Sequence, residues 1–509
     1  MPAGRRPPWG TWLAVALGAA LLFRLPFVPQ AVVDWDESTF ALMGDSLVRG
    51  HLPYTELWDN KPPLIFACFA LVQLLFGKSI VAIRAAGIVL VAVAAWLGAR
   101  AADRGFGLGR WSLAAIPPVA AAASLDPGSG ALMSEHLALV FLAAITALLA
   151  AGRFTARHGL LLGLATSLAV LTRTNLAYPA LLVGPAALLL PLAPGSSRAR
   201  FVAAIGLGAA APVVGLMVAY RNDLALLFLS VVRAPLAYAG GGLPFTAAWF
   251  REAADLVVEA ARPAMIPAAL GALAGALLAW RQGPGSPGRR MAVILVAGAA
   301  ATAAGICTGG RIYGHYLVQL LPFAAPLCAV AAARAWRRRT PAALALALAV
   351  AASWGAPLAA AYAGPLGRLA RSEPLWNDPA SRVTAYLEEA GGRGQVMFLA
   401  EAHVAYWLLD APLPLRIAHP SELGRMSVMR VVEGPDWTTC GGFAAIFARH
   451  PAFVVLPTGG PQRWDDAGAT CLDQQLSEGY RLERVIDNLR VFRRREDPGS
   501  RSTAAGPTP

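Results

Sequence analysis

The sequence predicts a mainly α-helical membrane protein: a polytopic bundle of about eleven spans, one re-entrant or half-depth segment, and a small C-terminal α/β domain. Two observations predict this fold class. Of 509 residues, 57% are hydrophobic and 14% are charged, and the apolar residues form continuous blocks of roughly 20, the length that crosses a bilayer core. After Tyr362 the composition changes to that of a soluble domain.

Each predicted span is a continuous apolar block. The blocks cover residues 10–30, 79–100, 111–126, 136–152, 158–174, 176–193, 201–220, 263–281, 291–308, 313–333 and 341–362. The block 62–76 is shorter and follows Lys61-Pro62-Pro63. A crossing there would place the arginines of residues 100–110 on the acidic side of the membrane. We therefore expect this block to be re-entrant or to reach half depth.

Charge is distributed unequally between the two sides of the predicted bundle. Alternate connections carry arginine clusters, at Arg5/Arg6, Arg100/Arg104/Arg110, Arg153/Arg157, Arg198/Arg200, Arg281/Arg289/Arg290 and Arg334/Arg337/Arg338/Arg339. By the positive-inside rule these connections face the cytoplasm. Acidic residues dominate the opposite connections, so we expect any chemistry on the outer side. The net charge of +13 reflects this topology, and we expect no nucleic-acid partner.

Two outer connections are long, and each contains a helix-like amphipathic stretch. The first stretch covers residues 38–48 and the second covers residues 246–261. Amphipathic helices of this kind usually lie along the membrane interface. The alternative for each is a solvated loop.

The C-terminal part has the pattern of alternating short helices and strands. Helices are predicted at 383–390 and 443–449, strands at 395–399 and 452–456, and a closing hairpin around Asp487-Asn488. The predicted domains are a transmembrane domain at 1–362, a soluble outer α/β domain at 363–495, and a disordered tail at 496–509. Cys440 and Cys471 are the two cysteines of this α/β domain. In an oxidising outer compartment they are candidates for a disulfide.

The densest group of ionisable residues beside a predicted span is Asp34-Trp35-Asp36-Glu37, which follows the first span. Carboxylates at a membrane surface are costly unless they are solvated or functional. They are also common in the first turn of a helix, where they interact favourably with the helix dipole. Position alone leaves two interpretations open, a functional group and a solvated helix cap.

Three motifs in this order resemble those of a known family. Asp36-Glu37 is followed by Trp58-Asp59-Asn60-Lys61-Pro62-Pro63-Leu64, and a late span begins with Arg311-Ile312-Tyr313-Gly314-His315-Tyr316. Their order and spacing resemble the polytopic GT-C glycosyltransferases, especially the bacterial relatives of protein O-mannosyltransferases and of the lipid A aminoarabinose transferase. With the alternating topology and the outer domain, the resemblance covers nearly the whole chain.

The resemblance implies a multi-pass glycosyltransferase of the bacterial inner membrane, with its active site facing the periplasm. Its partners would be a polyprenyl-phosphate sugar donor and a lipid, glycan or protein acceptor of the cell envelope. A sugar on a phosphate already has a good leaving group, so transfer needs a base for the acceptor hydroxyl and cations for the phosphate. The resemblance makes Asp36 the catalytic base, with Glu37 as its orienter or a metal ligand. It implies no certain cofactor and leaves a divalent metal open.

Four residues are implied to bind the donor phosphate, namely Lys61, Arg311, His315 and Tyr316. Lys61 matches the family's lysine before Pro-Pro and offers a compact cation; the alternative is a lysine anchored at the interface. Arg311 and His315 would share a helix face, where Arg311 binds the phosphate bidentately with His315 or Tyr316 donating to another oxygen. The alternative is that Arg311 and Tyr316 are interfacial anchors.

Four further residues are candidates for acceptor binding or an accessory role: Asp59, Glu135, His136 and Arg173. In the aminoarabinose branch an acidic residue directly precedes the lysine, whereas here Asn60 does and Asp59 is one step earlier, so the chain departs from any metal site of that branch. Glu135-His136 begins the fourth span, where a solvated cap is the alternative to an acceptor or metal site. Arg173 lies at the next outer turn and would pair with Glu135 or a phosphate.

Two other functional classes compete with the transferase. A transporter or flippase for a lipid-linked glycan would have as many spans, but such proteins tend to have repeated halves and charges at mid-membrane. A periplasmic glycan ligase or polymerase would be expected to lack the acidic pair followed by Lys-Pro-Pro-Leu. Within the outer domain, His403, His419 and His450 show no metal-ligand spacing with its cysteines. That domain is therefore predicted to be non-catalytic.

Overall fold

A computed structural model describes residues 8–240, 246–309, 312–338, 341–459 and 464–495. The predicted tail at 496–509 and the candidate Arg311 lie outside these described residues. The helices of the first three quarters of the chain are α1 (Trp9–Arg24), α2 (Trp35–Val48), α3 (Leu64–Phe76), α4 (Ile80–Phe106), α5 (Ile116–Leu125), α6 (Ser134–Leu149), α7 (Ala156–Thr172), α8 (Ala177–Leu181), α9 (Val183–Leu189), α10 (Arg198–Ala219), α11 (Leu224–Phe228), α12 (Ala234–Tyr238), α13 (Ala247–Ala260), α14 (Ile266–Trp280), α15 (Pro287–Cys307), α16 (Leu321–Arg338) and α17 (Pro341–Ala370).

The remaining elements are short helices and four strands. They are α18 (Pro379–Glu389), β1 (Met397–Leu399), α19 (Val404–Leu408), α20 (Met426–Val432), α21 (Thr439–Ala448), β2 (Phe453–Pro457), α22 (Asp466–Gly479), β3 (Tyr480–Ile486) and β4 (Leu489–Arg494). The predicted helices at 383–390 and 443–449 correspond to α18 and α21, and the predicted strands correspond to β1 and β2. Helices α19, α20 and α22 were not predicted.

The contacts between residues divide the chain into two compact units. The membrane unit contains the described residues of Met1–Pro29 and Asn60–Leu375, and the sheet unit contains those of Gln30–Asp59 and Trp376–Pro509. This division differs from the predicted domains because α17 continues past residue 362 and α2 belongs with the C-terminal residues. Hydropathy groups only sequence neighbours, whereas here Trp58 forms a β-bridge with Ile417 and α2 packs against α19.

All the long apolar helices belong to the membrane unit. Among the described residues, six helices are long and apolar enough to cross a membrane: Gly10–Phe27, Ile80–Phe106, Arg198–Ala219, Pro287–Cys307, Gly314–Arg337 and Ala347–Ala370. Shorter apolar helices, among them α6, α7 and α14, coincide with other predicted spans, and the predicted span 176–193 is divided into α8 and α9. The block 62–76 forms α3, whose 13 residues are fewer than the roughly 20 needed for a full crossing. The chain is a multi-pass membrane protein.

Glycines allow the helices of the membrane unit to approach at backbone distance. On α7 a side chain at Gly163 would clash with the Ile205 carbonyl oxygen of α10, and on α10 a side chain at Gly208 would clash with the Leu160 carbonyl oxygen of α7. Within a bilayer, helices associate through close packing because lipid tails are as apolar as the side chains. The α7–α10 pair therefore depends on these two glycines.

The sheet unit contains a four-stranded sheet in the order β1-β2-β4-β3. Strands β1 and β2 are parallel, and β4 pairs antiparallel with both β2 and β3. The β3–β4 hairpin closes at the pair Ile486–Leu489, and Asp487 in its two-residue turn has φ +55°, which Asp and Asn tolerate better than most residues. The predicted closing hairpin is confirmed.

The two predicted amphipathic stretches differ in the structure. The second forms α13, which exposes Phe250, Val257 and Val258, as expected of an amphipathic helix. The first forms α2, but ten consecutive residues of this helix, from Glu37 to Ser46, are buried. An interfacial helix would leave one face exposed, so the expectation of an interfacial position for the first stretch is wrong.

A disulfide joins Cys440 on α21 to Cys471 on α22, with their Cα atoms 5.5 Å apart. The other cysteines, Cys68, Cys307 and Cys328, are free. The bridge ties together two helices that flank β2 in sequence.

We expect Gly208→Ala to destabilise the membrane unit and Gly206→Ala to leave it unchanged or slightly more stable. Both glycines lie on α10 and both replacements favour a helix by about 1 kcal/mol. Gly206 has open space around it, whereas Gly208 faces the backbone of α7, where overpacking costs about 1–3 kcal/mol. Thermal unfolding of the purified protein in detergent measures the difference. Equal melting temperatures for the two variants would contradict the packing argument.

We also expect Cys440 and Cys471 to resist alkylation in protein matured in an oxidising compartment. Alkylation under denaturing conditions without reductant, followed by mass analysis of peptides, should label Cys68, Cys307 and Cys328 and leave this pair unlabelled. Prior reduction is the control, and it should expose both thiols. Free thiols at both positions without reduction would exclude the bridge.

Candidate functional site

Each unit contains one cluster of candidate residues, and the cluster in the sheet unit surrounds the first turn of α2. Asp34 is the N-cap, and its carboxylate accepts a hydrogen bond from the backbone N–H of Asp36 at 3.0 Å. The capping role therefore belongs to Asp34. The side chain of Asp36 is directed elsewhere, so the helix-cap interpretation does not account for it.

Asp36 instead contacts a histidine that the sequence analysis did not select. The Nε2 atom of His419 lies 3.3 Å from Asp36 Oδ1, and the two side chains are 11% and 18% exposed. His419 immediately precedes a short 3-10 helix, Pro420–Gly424. Asp36 and His419 are more than 380 residues apart in the sequence, so no motif or spacing indicates that they form a pair.

A second histidine holds the same turn. His403 Nε2 lies 3.0 Å from the Trp35 carbonyl oxygen and 3.2 Å from Thr39 Oγ1. The Trp35 ring lies 5.8 Å from the His403 ring and 5.9 Å from the His419 ring, and the two imidazoles are also 5.9 Å apart. Three mutually packed rings therefore fix the backbone that carries Asp36.

The orientation of His419 is set by Ser421. The backbone N–H of Ser421 donates to Nδ1 at 3.3 Å, and the Ser421 hydroxyl lies 2.8 Å from the same atom. In the neutral ring the proton is then on Nε2, which faces Asp36. Burial disfavours the charged imidazole, but the hydrogen bond and charge of Asp36 outweigh it and hold the pKa of His419 above its ordinary value.

Glu37 and Asp59 are also placed in the sheet unit. Their exposed fractions are 5% and 2%, so both carboxylates are buried, and Asp59 acts electrostatically on His419. In the described part of the chain, no three His, Cys, Asp or Glu side chains are arranged to hold a metal. The residues nearest Asp36 thus offer hydrogen bonds and charge.

The cluster in the membrane unit centres on Glu135, which begins α6 and is fully buried. Arg173 Nη1 forms an ion pair with Glu135 Oε1 and donates to Ser134 Oγ at 2.9 Å. Ser134 in turn donates to Glu135 Oε2 at 3.1 Å. The predicted pairing of Arg173 with Glu135 is present, and it compensates the charge of a carboxylate that has no access to solvent.

The late motif packs against this ion pair. The guanidinium of Arg173 lies 4.5 Å from the centre of the Tyr316 ring, and His315 Nε2 lies 3.7 Å from Glu135 Oε1. The His315 ring stacks on Tyr313 at 5.6 Å. His315 lies in a 3-10 helix, Gly314–Leu320. Arg311 lies outside the described residues, so the helical face that it was predicted to share with His315 stays a prediction.

Lys61 belongs to the membrane unit and is partly buried. Its Nζ atom donates to Asn60 Oδ1 at 3.2 Å, and its charge acts on the hydroxyl of Tyr316. The unit thus brings the lysine of the Lys-Pro-Pro motif and the tyrosine of the late motif within electrostatic range. These two motifs are about 250 residues apart in the sequence.

His136 is anchored by its ring nitrogens at the start of α6. Its Nδ1 accepts from the Met133 N–H at 3.0 Å, and its Nε2 donates to the Ala123 carbonyl at 2.8 Å. Both ring nitrogens are therefore occupied by backbone groups, and the side chain is fully buried. A metal ligand needs a free nitrogen lone pair, so an acceptor or metal role for His136 would require these contacts to change, and that role stays a prediction.

The sequence analysis also missed Arg24, which lies next to His136. This guanidinium is 2% exposed and donates to four backbone carbonyls, that of Ala123 in α5 (2.9 Å) and those of Ser129 (2.8 Å), Gly130 (3.1 Å) and Ala131 (2.7 Å) in the loop after it. Arg84 donates to Gly130 as well, at 3.0 Å, and the absence of a side chain at Gly87 leaves room for Arg24.

Three more charged residues surround Gly314. Arg262 pairs with Glu259 at 2.7 Å and lies 4.0 Å from Asp126. A side chain at Gly314 would clash with the carboxylates of Asp126 and Glu259. This close approach gives a physical reason for the glycine in the late motif.

Neither a protein-family model nor a curated protein matches this sequence, but solved structures do. ArnT from Cupriavidus metallidurans bound to undecaprenyl phosphate aligns with a TM-score of 0.62 at 14% sequence identity, over 98% of this chain and 99% of that chain. The chain has the fold of ArnT. The apo state of the same protein gives a TM-score of 0.62 at 13% identity, over 95% of this chain and 98% of that chain. The ArnT fold thus includes both the membrane unit and the sheet unit.

We expect Arg24→Lys to destabilise the membrane unit severely, although the charge is kept. An ammonium cannot reproduce a planar fork that reaches four carbonyls, and each buried carbonyl left without a donor costs about 1–3 kcal/mol. The melting temperature in detergent should fall by roughly 5 °C or more. Arg153→Lys, at an exposed arginine, is the control. A variant that melts within roughly 1 °C of the wild type would contradict the role of Arg24.

Proposed function

We propose that this protein is a glycosyltransferase that takes a sugar from a polyprenyl-phosphate carrier and transfers it to a cell-envelope acceptor at the periplasmic face of the bacterial inner membrane. The observation that carries the proposal is the likeness to ArnT over the full length of both chains, because that protein is bound to undecaprenyl phosphate. The three motifs of the sequence analysis support it, since they supply a carboxylate and cations in the ArnT fold.

Asp36 is proposed as the base. An acceptor hydroxyl attacks the anomeric carbon of the sugar while the bond from that carbon to the phosphate oxygen breaks. The hydroxyl proton passes to the Asp36 carboxylate, and the polyprenyl phosphate leaves with the bonding electron pair. A general base of this kind contributes about 10²- to 10⁴-fold to the rate. Support comes from the position of Asp36 in the first turn of α2, where Asp34 provides the cap.

Lys61, His315 and Tyr316 are proposed to bind the donor phosphate. Lys61 and His315 supply cationic or donor groups, and Tyr316 supplies a hydroxyl. Arg173 is proposed to act mainly through Glu135, since its Nη1 is engaged by that carboxylate and by Ser134. The charge that develops on the leaving phosphate would then be stabilised by groups already fixed by packing.

The proposed outer location is supported by charge and by cysteine chemistry. The arginine clusters of the sequence lie in alternate connections, and by the positive-inside rule this favours a periplasmic position for the acidic first connection. A disulfide in the sheet unit is typical of an oxidising compartment. The acceptor is proposed as a lipid or glycan of the envelope, with an envelope protein as the remaining class.

We predict that Asp36→Asn lowers transfer by roughly 10²- to 10⁴-fold while binding of undecaprenyl phosphate is retained. Asparagine keeps the shape of the side chain and cannot take the proton. The purified protein is supplied with undecaprenyl phosphate carrying radiolabelled hexoses or pentoses, together with a membrane extract as acceptor. Asp34→Asn is the matched control because asparagine caps a helix as well as aspartate.

Lys61→Ala should behave differently in the same assays. Loss of a charge-assisted contact costs about 1.5–3 kcal/mol, so carrier binding should weaken roughly 10- to 100-fold as transfer falls. Lys78→Ala, at the other lysine of the chain, is its control. If Asp36→Asn transfers sugar at the wild-type rate, the assignment of the base to this turn is wrong. Failure of every donor to react would count against the transferase itself.

A further inference from the structure

We propose that His419 is a positioning residue for the transfer reaction, because it holds the Asp36 carboxylate in one orientation through a hydrogen bond from Nε2 to Oδ1. This inference rests on the proposed function, and it assigns a part in catalysis to the region that the sequence predicted to be non-catalytic. The contact joins the first turn of α2 to residues of the C-terminal part within one compact unit.

The first support is the direction of the hydrogen bond. Ser421 donates from its backbone N–H to His419 Nδ1, so in the neutral ring that atom keeps its lone pair and the proton is on Nε2. Nε2 therefore acts as a donor towards Asp36, 3.3 Å away. A carboxylate can accept this bond while it remains ionised, which is the state that a base requires.

The second support is the rigidity of the contact. The imidazole packs against the rings of Trp35 and His403, and the His403 Nε2 atom contacts the Trp35 carbonyl. The backbone before Asp36 and the side chain that binds Asp36 are consequently fixed by the same group of rings. Holding a base within a narrow range of angles matters because a misplacement of about 1 Å can lower a rate by 10²-fold.

The third support is the charge around the pair. Three carboxylates act on His419, those of Asp36, Glu422 and Asp59, and their negative field favours a donor at the position of the imidazole. The nearby His403 contacts the Trp35 carbonyl and Thr39, so the two histidines have different partners. The contact of His419 with the Asp36 side chain is direct.

The test compares two replacements of one histidine in the full-length protein. His419→Ala removes the donor, whereas His419→Gln places an amide N–H near the position of Nε2. Transfer is measured with the undecaprenyl-phosphate sugar that the wild type turns over fastest. We expect His419→Ala to lower kcat by roughly 10- to 100-fold with the donor KM changed less than about twofold. His419→Gln should recover most of kcat.

Two controls separate positioning from folding. His450→Asn changes an exposed histidine of the same unit, whose positive φ asparagine tolerates, and it should keep wild-type kcat. In the double variant Asp36→Asn/His419→Ala, the second change should cost almost nothing, because an orienting residue has no role without the carboxylate. Additive losses in the double variant would overturn the proposal.

An NMR titration needs no substrate, so it tests the His419–Asp36 hydrogen bond separately from the proposed transferase activity. In histidine-labelled protein, NMR should show one ring, absent in His419→Gln, that titrates above about pH 6.5 and shifts to lower pH in Asp36→Asn. If the His419 ring titrates at the same pH in Asp36→Asn as in the wild type, the proposed contact between His419 and Asp36 is wrong. Full activity of His419→Ala alongside an inactive Asp36→Asn would overturn the positioning role and leave the transferase proposal intact. Full activity of Asp36→Asn would overturn both the positioning role of His419 and the assignment of Asp36 as the base, and inactivity of the wild type with every donor would count against the transferase itself.

Discussion

The membrane unit depends on how a non-helical loop is stabilised beside apolar helices. Backbone N–H and C=O groups that are buried among apolar helices have no water to bond with, and each group left unsatisfied costs several kcal/mol. Arg24 meets this demand for the loop between α5 and α6 by donating to three of its carbonyls and to the Ala123 carbonyl in the last turns of α5. A buried cation that would be costly alone is stabilised by the dipoles of the loop, and the loop is stabilised by the cation. This loop carries Asp126 and leads directly into α6.

The polar cluster of the membrane unit follows from that arrangement. Once the loop is fixed, Glu135 enters α6 as a buried carboxylate, and Arg173 compensates its charge. Tyr316 packs on Arg173 and His315 approaches Glu135. Each of these side chains thus contacts the next, so that the charge of one is compensated by its neighbour and its movement is restricted. Such preorganisation is what stabilises a developing phosphate charge without rearrangement during the reaction.

Features encoded by near neighbours in the sequence were predictable. Apolar length and charge asymmetry predicted a multi-pass bundle, and turn chemistry at Asp487 predicted the β3–β4 hairpin. The Arg173–Glu135 pair followed from their shared outer position. The buried position of α2 was less accessible, because hydropathy reports how apolar a segment is and not which residues will cover it.

The residues that sequence reasoning missed depend on contacts between distant segments. Arg24 lies within the first predicted span, and nothing in the sequence indicates that backbone carbonyls about a hundred residues later will surround it. His419 carries no motif at all, and its partner Asp36 is at the other end of the chain. The backbone contacts of both His136 nitrogens were equally inaccessible, because the sequence shows only a histidine beside a glutamate.

The composition of the sheet unit has a consequence for biogenesis. Helix α2 is synthesised early, yet its contact from Thr39 to His403 spans 364 residues, and β4, the last described strand, lies between β2 and β3. Loop closure over such distances makes folding slow, and α2 is also synthesised long before its neighbours exist. During that interval its apolar side chains must be shielded from water by something else, such as a chaperone or the lipid surface. The turn that carries Asp36 can then mature only after nearly all of the described chain has been made.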